Sequence, residues 1–135
     1  MTGPVQELRV AVTVDDYEQA LAFYRDALGL PVVESWETDD GSGAVLDAGR
    51  ATIELLSTDQ AELVDRVEVG ERSAGPIRFA LEVGESVAIA DELVAAGAER
   101  IGGPVVTPWN HRNVRVRAPD GMQLTLFTVL DGQDL

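Results

Sequence analysis

One half-domain is written twice in this chain of 135 residues. Leu8-Arg9-Val10-Ala11-Val12-Thr13-Val14 returns as Ile77-Arg78-Phe79-Ala80-Leu81-Glu82-Val83, and each copy runs into a helical segment marked by Gly or Asp. At the other end of each half, Ala51-Thr52-Ile53-Glu54-Leu55-Leu56-Ser57 is answered by Met122-Gln123-Leu124-Thr125-Leu126-Phe127-Thr128. A duplication of this extent means that any chemistry has to be read from paired positions.

The first copy predicts a strand over 7–14 and then a helix opened by Asp16, with Gln19 placed to complete a capping box. Tyr17, Ala20, Leu21, Tyr24 and Leu28 follow at helical spacing; Gly29 supplies the left-handed stop and Pro31 prevents resumption. Strands are expected near 31–38, 43–48 and 51–57, joined by Asp39-Asp40-Gly41-Ser42-Gly43 and Ala48-Gly49-Arg50. The second copy predicts a strand over 76–83 and a helix over 86–96 between Ser86 as cap and Gly97. Further strands are expected near 99–107, 112–118 and 122–129, with Asp120-Gly121 as the last hairpin turn. The stretch 58–75, rich in charge, reads as a linker with room for a short helix. The expected organisation is one domain over 1–135, with module one at 7–57 and module two at 76–129.

Charge removes several classes of function. Twenty-four acidic residues against ten basic ones, all of them Arg, give a formal charge of −14, which disfavours nucleic acid and anionic membranes as partners. The absence of Cys removes disulfides, thiolate nucleophiles and Cys-type zinc sites. No apolar run approaches the length of a membrane span and the first residues carry no export pattern, so a cytoplasmic protein is expected.

Two βαβββ modules, with Phe23-Tyr24-Arg25-Asp26-Ala27-Leu28-Gly29-Leu30 ending the first helix and Ala118-Pro119-Asp120-Gly121 before the last strand, resemble the vicinal oxygen chelate superfamily. This superfamily holds glyoxalase I, extradiol dioxygenases, and fosfomycin- and bleomycin-resistance proteins. The resemblance implies an α+β fold in which two tandem βαβββ modules form curved mixed sheets around a cup, with helices on the outer face. It also implies a homodimer, consistent with the sheet edges that two modules leave. In the family's enzymes, four metal ligands, mostly His, Gln and Glu, come from the first and last strands of the modules. Carried over by motif, those positions are Arg9, Glu54, Arg78 and Thr125.

Only Glu54 is a usual ligand. A guanidinium has no lone pair to donate, and at about 5 Å and an effective dielectric of about 20 each Arg would cost a divalent ion roughly 7 kcal/mol. No metal and no other cofactor is therefore expected. Strand parity places the four positions together: Val10, Val12, Val14, Phe79, Leu81, Val83, Ile53, Leu55, Leu124 and Leu126 form the face under the helices. Arg9, Glu54, Arg78, Gln123 and Thr125 lie on the other.

Two readings of that polar face stand. Either Glu54 is clamped between Arg9 and Arg78, with Thr125 completing a structural plug, or one Arg is left to hold a carboxylate, phenolate or enolate in bidentate geometry. Trp36 and Trp109 are candidate aromatic walls for a flat ligand, or else core and interface residues. His111, the single imidazole, reads as a hydrogen-bonded loop residue or a general base. Arg115 and Arg117 alternate with Val114 and Val116 and read most simply as a solvated face, or else as part of the cup's rim. The function expected is metal-free binding of a small molecule, as in the bleomycin-resistance branch. The alternative is a glyoxalase- or dioxygenase-like enzyme with altered metal ligands, or a cofactor-free lyase or isomerase using Glu54, a weak base between two guanidiniums.

Overall fold

The computed structural model describes residues 9, 10, 12, 14–51, 54 and 56–130 and is of mixed α+β class. Of the strands expected over 7–14 and 51–57, residues 7, 8, 11, 13, 52, 53 and 55 lie outside the described residues, and the described ones are in no strand. Helix α1 (Tyr17–Leu21) is capped by Asp16, whose carboxylate accepts from the Gln19 amide at 3.0 Å. It continues as π-helical turns over Ala22–Ala27, and Gly29 leaves it at φ +80°. Strands β1 (Val32–Thr38) and β2 (Gly41–Leu46) then pair antiparallel as a two-stranded sheet.

The expected linker contains an eleven-residue helix, α2 (Thr58–Glu68), capped by Ser57. Beyond it come β3 (Phe79–Glu82), α3 (Ser86–Ala95), β4 (Glu99–Val106), β5 (His111–Arg117) and β6 (Gln123–Val129), the order read from the second copy. They build a four-stranded sheet ordered β3-β6-β5-β4, with β3 parallel to β6 and the other pairs antiparallel. Helix α3 crosses from β3 at one edge of the sheet to β4 at the other, which runs in the same direction. Ser86 is not its cap. Glu85 takes that position without a side-chain bond, while the Ser86 hydroxyl donates to the Arg112 carbonyl at 2.8 Å.

Parity sorts the large sheet as expected on one side. Val114 faces Leu126 and Val116 faces Leu124 across β5 and β6. All four are fully buried with Ala90 and Leu93 of α3 and with Phe23, and Phe79, Leu81 and Val83 are packed at the margin. Phe23 thus anchors the first helix to the four-stranded sheet; its neighbour Tyr24 stands edge-on to it and donates to Asp120 at 2.9 Å. That bond joins the helix-end motif to the Pro-Asp-Gly turn. Burial, reinforced by the hydrogen bond to and the charge of Asp120, pushes the Tyr24 hydroxyl well above its usual range. Val10, expected under the helices, is instead half exposed.

The other side of the sheet is covered as well. Asn113, Arg115, Gln123 and Thr125 all point away from the apolar core, yet all are buried, because α2 lies over β4 and β5. Gly102 permits the approach: a Cβ there would stand 2.0 Å from the Glu68 carbonyl oxygen. Gly102→Ala should therefore cost about 1–3 kcal/mol in urea unfolding, because α2 must shift off the sheet. Gly75→Ala, where a Cβ meets nothing within 4 Å, should stay within about 0.5 kcal/mol of the parent.

Candidate functional site

Arg115 is the centre of the polar face. It stands opposite Thr125 in the β5–β6 register and is 0% exposed, so the expectation that it lies on a solvated face is overturned. Its cover is acidic. Val64, Asp65 and Glu68 are the buried residues of α2, and two of them carry carboxylates. Arg115 Nη1 lies 2.9 Å from Asp65 Oδ1 and donates to Gln123 Oε1 at 2.8 Å. Its Nε donates to Glu68 Oε1 and to Thr125 Oγ1, each at 3.0 Å. Arg117, which shares its parity, turns outward to Glu99 at 2.6 Å.

Most other polar side chains around this centre are drawn into the same network. The Thr125 hydroxyl donates to Glu68 Oε1 at 2.7 Å and accepts from Arg78 Nη1 at 2.8 Å, so with Arg115 its bonding capacity is filled. Asn113 Nδ2 donates to Glu68 Oε2 at 2.9 Å. Asp65 Oδ2 accepts from Arg72 Nη1, Ser73 N and Ala74 N at 2.7, 2.7 and 2.9 Å, and Gln123 Nε2 donates to Ser73 Oγ at 2.9 Å. Burial of Asp65 would raise its pKa. The amides of Ser73 and Ala74 and the guanidiniums of Arg72 and Arg115 outweigh that, and hold the carboxyl well below the usual range.

Of the residues singled out from the sequence, Arg78 and Thr125 are brought into direct contact. Arg78 is half-buried; burial first, and then the charge of Arg115, lower its pKa, against the opposing charges of Glu68, Glu54 and Asp65. Glu54 and Arg9 are exposed, and the carboxylate bonded to Thr125 is Glu68. Trp36 lies across Gly43 on the two-stranded sheet and is 49% exposed. Trp109 is half-buried in the turn between β4 and β5, and His111 stacks on Phe127 with ring centroids 5.1 Å apart. No hydrogen bond or ring contact joins either Trp to Arg78 among the described residues.

Sequence reasoning missed Asp65, Glu68, Arg72 and Asn113, and placed Arg115 on a solvated face or a rim. A signal for the strand residues was present: counting outward from the Asp120-Gly121 turn places Arg115 opposite Thr125 and Asn113 opposite Phe127. The helix residues had a weaker one, the spacing of Val64, Asp65 and Glu68 along one side of a helix.

The donor set at the four family positions does not fit a divalent ion. Two guanidiniums cannot ligate, and Thr125 is committed to Arg78, Arg115 and Glu68. Among the described residues no group of three or more His, Asp or Glu side chains is placed to hold a metal. No helix among them is long and apolar enough to cross a membrane.

A family model described as "Glyoxalase/Bleomycin resistance protein/Dioxygenase superfamily" matches residues 8–126. A curated relative, the uncharacterized protein YraH of Bacillus subtilis (strain 168), is 28% identical over 127 residues, covering 91% of this chain and 98% of its own. Among solved structures, TnmS3, an antibiotic binding protein from Streptomyces sp. CB03234, superposes with a TM-score of 0.62 at 20% identity, over 95% of this chain and 99% of that one. A glyoxalase-related enzyme from Fulvimarina pelagi gives a TM-score of 0.57 at 17% identity, over 92% and 88% of the two chains. At these identities the two structures speak for the fold alone.

The depressed pKa of Asp65 has a definite sign. Its stabilisation is complete above the unfolded carboxyl value of about 4 and is lost as pH falls toward the folded value. Asp65→Asn should cost about 3 kcal/mol at neutral pH. In urea titrations carried down to about pH 3, the gap between parent and variant should narrow only below about pH 4. A gap that stays constant across that range would remove Asp65 from the network.

Proposed function

The chain belongs to the glyoxalase/bleomycin resistance protein/dioxygenase superfamily, and from that premise we propose that it is a small-molecule binding protein that works without a metal. The observation that carries this reading is the chemistry of Arg78. Where the family's enzymes hold a cation, this chain holds a half-buried guanidinium whose one hydrogen bond among the described residues goes to a neutral hydroxyl, that of Thr125. Such a group binds the carboxylate or phenolate of a compound and does not activate a metal-bound oxygen. Arg9 and Glu54 contribute at the open side of the site, and Trp109 serves as a wall against a flat ligand. Thr125 acts by holding Arg78 in place. Sequestration of this kind needs no reaction, and the antibiotic binding protein TnmS3 supplies a precedent on the same fold.

The working form is a homodimer. Strand β1 is exposed along its whole length, with Val33 65% and Trp36 49% exposed, apolar side chains suited to an interface between two copies. The net charge of −14 sets encounter rates with ligands, while the groups in contact set affinity.

A thermal-shift screen of phenolic, carboxylate and glycopeptide compounds tests the reading. A true ligand at about 100 times its Kd should add about 2.7 kcal/mol of stability, and Arg78→Met should abolish the gain. A protein that keeps stoichiometric Ni²⁺, Zn²⁺, Mn²⁺ or Fe²⁺ through dialysis would contradict it. Gel filtration of the parent should give a dimer, and Trp36→Glu should shift it toward the monomer.

A further inference from the structure

We propose that the polar face of the large sheet is a carboxylate-binding site already occupied by Glu68 of this chain, and that a small organic carboxylate binds by taking Glu68's place. This rests on the binding function proposed above and names its ligand class.

The site is built for a carboxylate from four residues. Arg115, Thr125 and Asn113 donate to Glu68 within 3.0 Å, and Arg78 holds the Thr125 hydroxyl that points at it. Three of these side chains are buried on strands, hence rigidly placed, while the carboxylate comes from the last residue of a linker helix. Occupation by Glu68 is geometrically imperfect. Its Oε1 receives both Arg115 Nε and the Thr125 hydroxyl, whereas Oε2 receives only Asn113. Arg115 Nη2 lies 3.0 Å from the same Oε1 yet forms no hydrogen bond, and Asn113 Oδ1 has no partner, although both atoms are buried. A guanidinium prefers two parallel bonds to two oxygens, and a carboxylate free of the helix can supply them. Charge agrees with this: Arg72, Arg78 and Arg115 face Asp65 and Glu68, and removal of Glu68 leaves the cluster calling for an anion.

Room for the rest of the ligand lies next door. An open pocket of about 380 Å³ is lined by the apolar Val12, Ile77 and Met122 and by the polar Ser73, Gln123 and Asp120. Gln123 is also bonded to Arg115, so it stands between the pocket and the guanidinium. An acid with a compact apolar body therefore fits: its body takes the pocket and its carboxylate reaches past Gln123 to Arg115. For this to occur the end of α2 must lift from Gly102, against which the Glu68 backbone is seated.

Benzoate, with neutral benzamide as the control, is the probe. Glu68→Gln keeps the size of the side chain but removes the resident charge, and should bind benzoate at least about tenfold more tightly than the parent, the worth of one charge-assisted hydrogen bond. Benzamide should bind neither protein, and adding Arg115→Met to Glu68→Gln should abolish the gain. Equal benzoate affinity in parent and Glu68→Gln, or benzamide binding as tight as benzoate, overturns the proposal. Should Glu68→Gln fail to fold, the parent carries the test. Saturating benzoate should then accelerate amide exchange over residues 64–70, and unchanged protection there overturns it. A screening ligand that depends on Arg78 but gains nothing from Glu68→Gln would leave the binding function standing and remove only this site. Benzoate binding gained in Glu68→Gln, with no screening ligand for the parent, would do the reverse.

Discussion

A guanidinium placed at the middle of a sheet and cut off from water needs carboxylates brought to it, and the way Arg115 meets that need organises the second half of this molecule. Left unpaired, a buried charge costs several kcal/mol; paired and hydrogen-bonded, it becomes tolerable without adding much net stability. Here the pairing comes from a helix that would otherwise be a charged linker. Asp65 and Glu68 bring α2 onto the sheet, and Asp65 also gathers the amides of Ser73 and Ala74, so the chain is turned toward β3 by the same carboxylate. The ion cluster thus selects one placement for α2 where an apolar surface would accept several.

The sheet has two dissimilar faces as a result. One is a dry aliphatic core in which Val114, Val116, Leu124 and Leu126 pack against α3 and Phe23. The other is polar, ordered by hydrogen bonds, and closed by α2 through the gap that Gly102 leaves. Arg78 stands at its margin, only partly enclosed. There, its fixed positive charge and a protein carboxylate both bond one hydroxyl, that of Thr125.

Most of the elements between β3 and β6 were legible in the sequence because they obey local rules. Alternation gave β5 and β6, Gly97 closed α3, and Asp120-Gly121 formed the turn. Parity placed Leu124 and Leu126 inside for the same reason. The fate of Arg115 was not legible, since alternation says which face a residue is on and not what covers that face. Its cover, α2, has a polar sequence, and its buried side consists of Val64 and two acids, a pattern that composition alone reads as solvated. Glu54 was the expected partner of Arg78 and Thr125 because both lie at duplicated strand ends. The nearer carboxylate, Glu68, comes from the segment between the copies, which no repeat argument reaches.

The account depends on Arg115 and Glu68 acting as a coupled pair across the helix–sheet boundary. A double-mutant cycle of Arg115→Met and Glu68→Gln, followed by urea unfolding at neutral pH, measures that coupling. An interaction of about 2 kcal/mol or more is predicted, and one below about 0.5 kcal/mol, the additivity expected of independent sites, would contradict it.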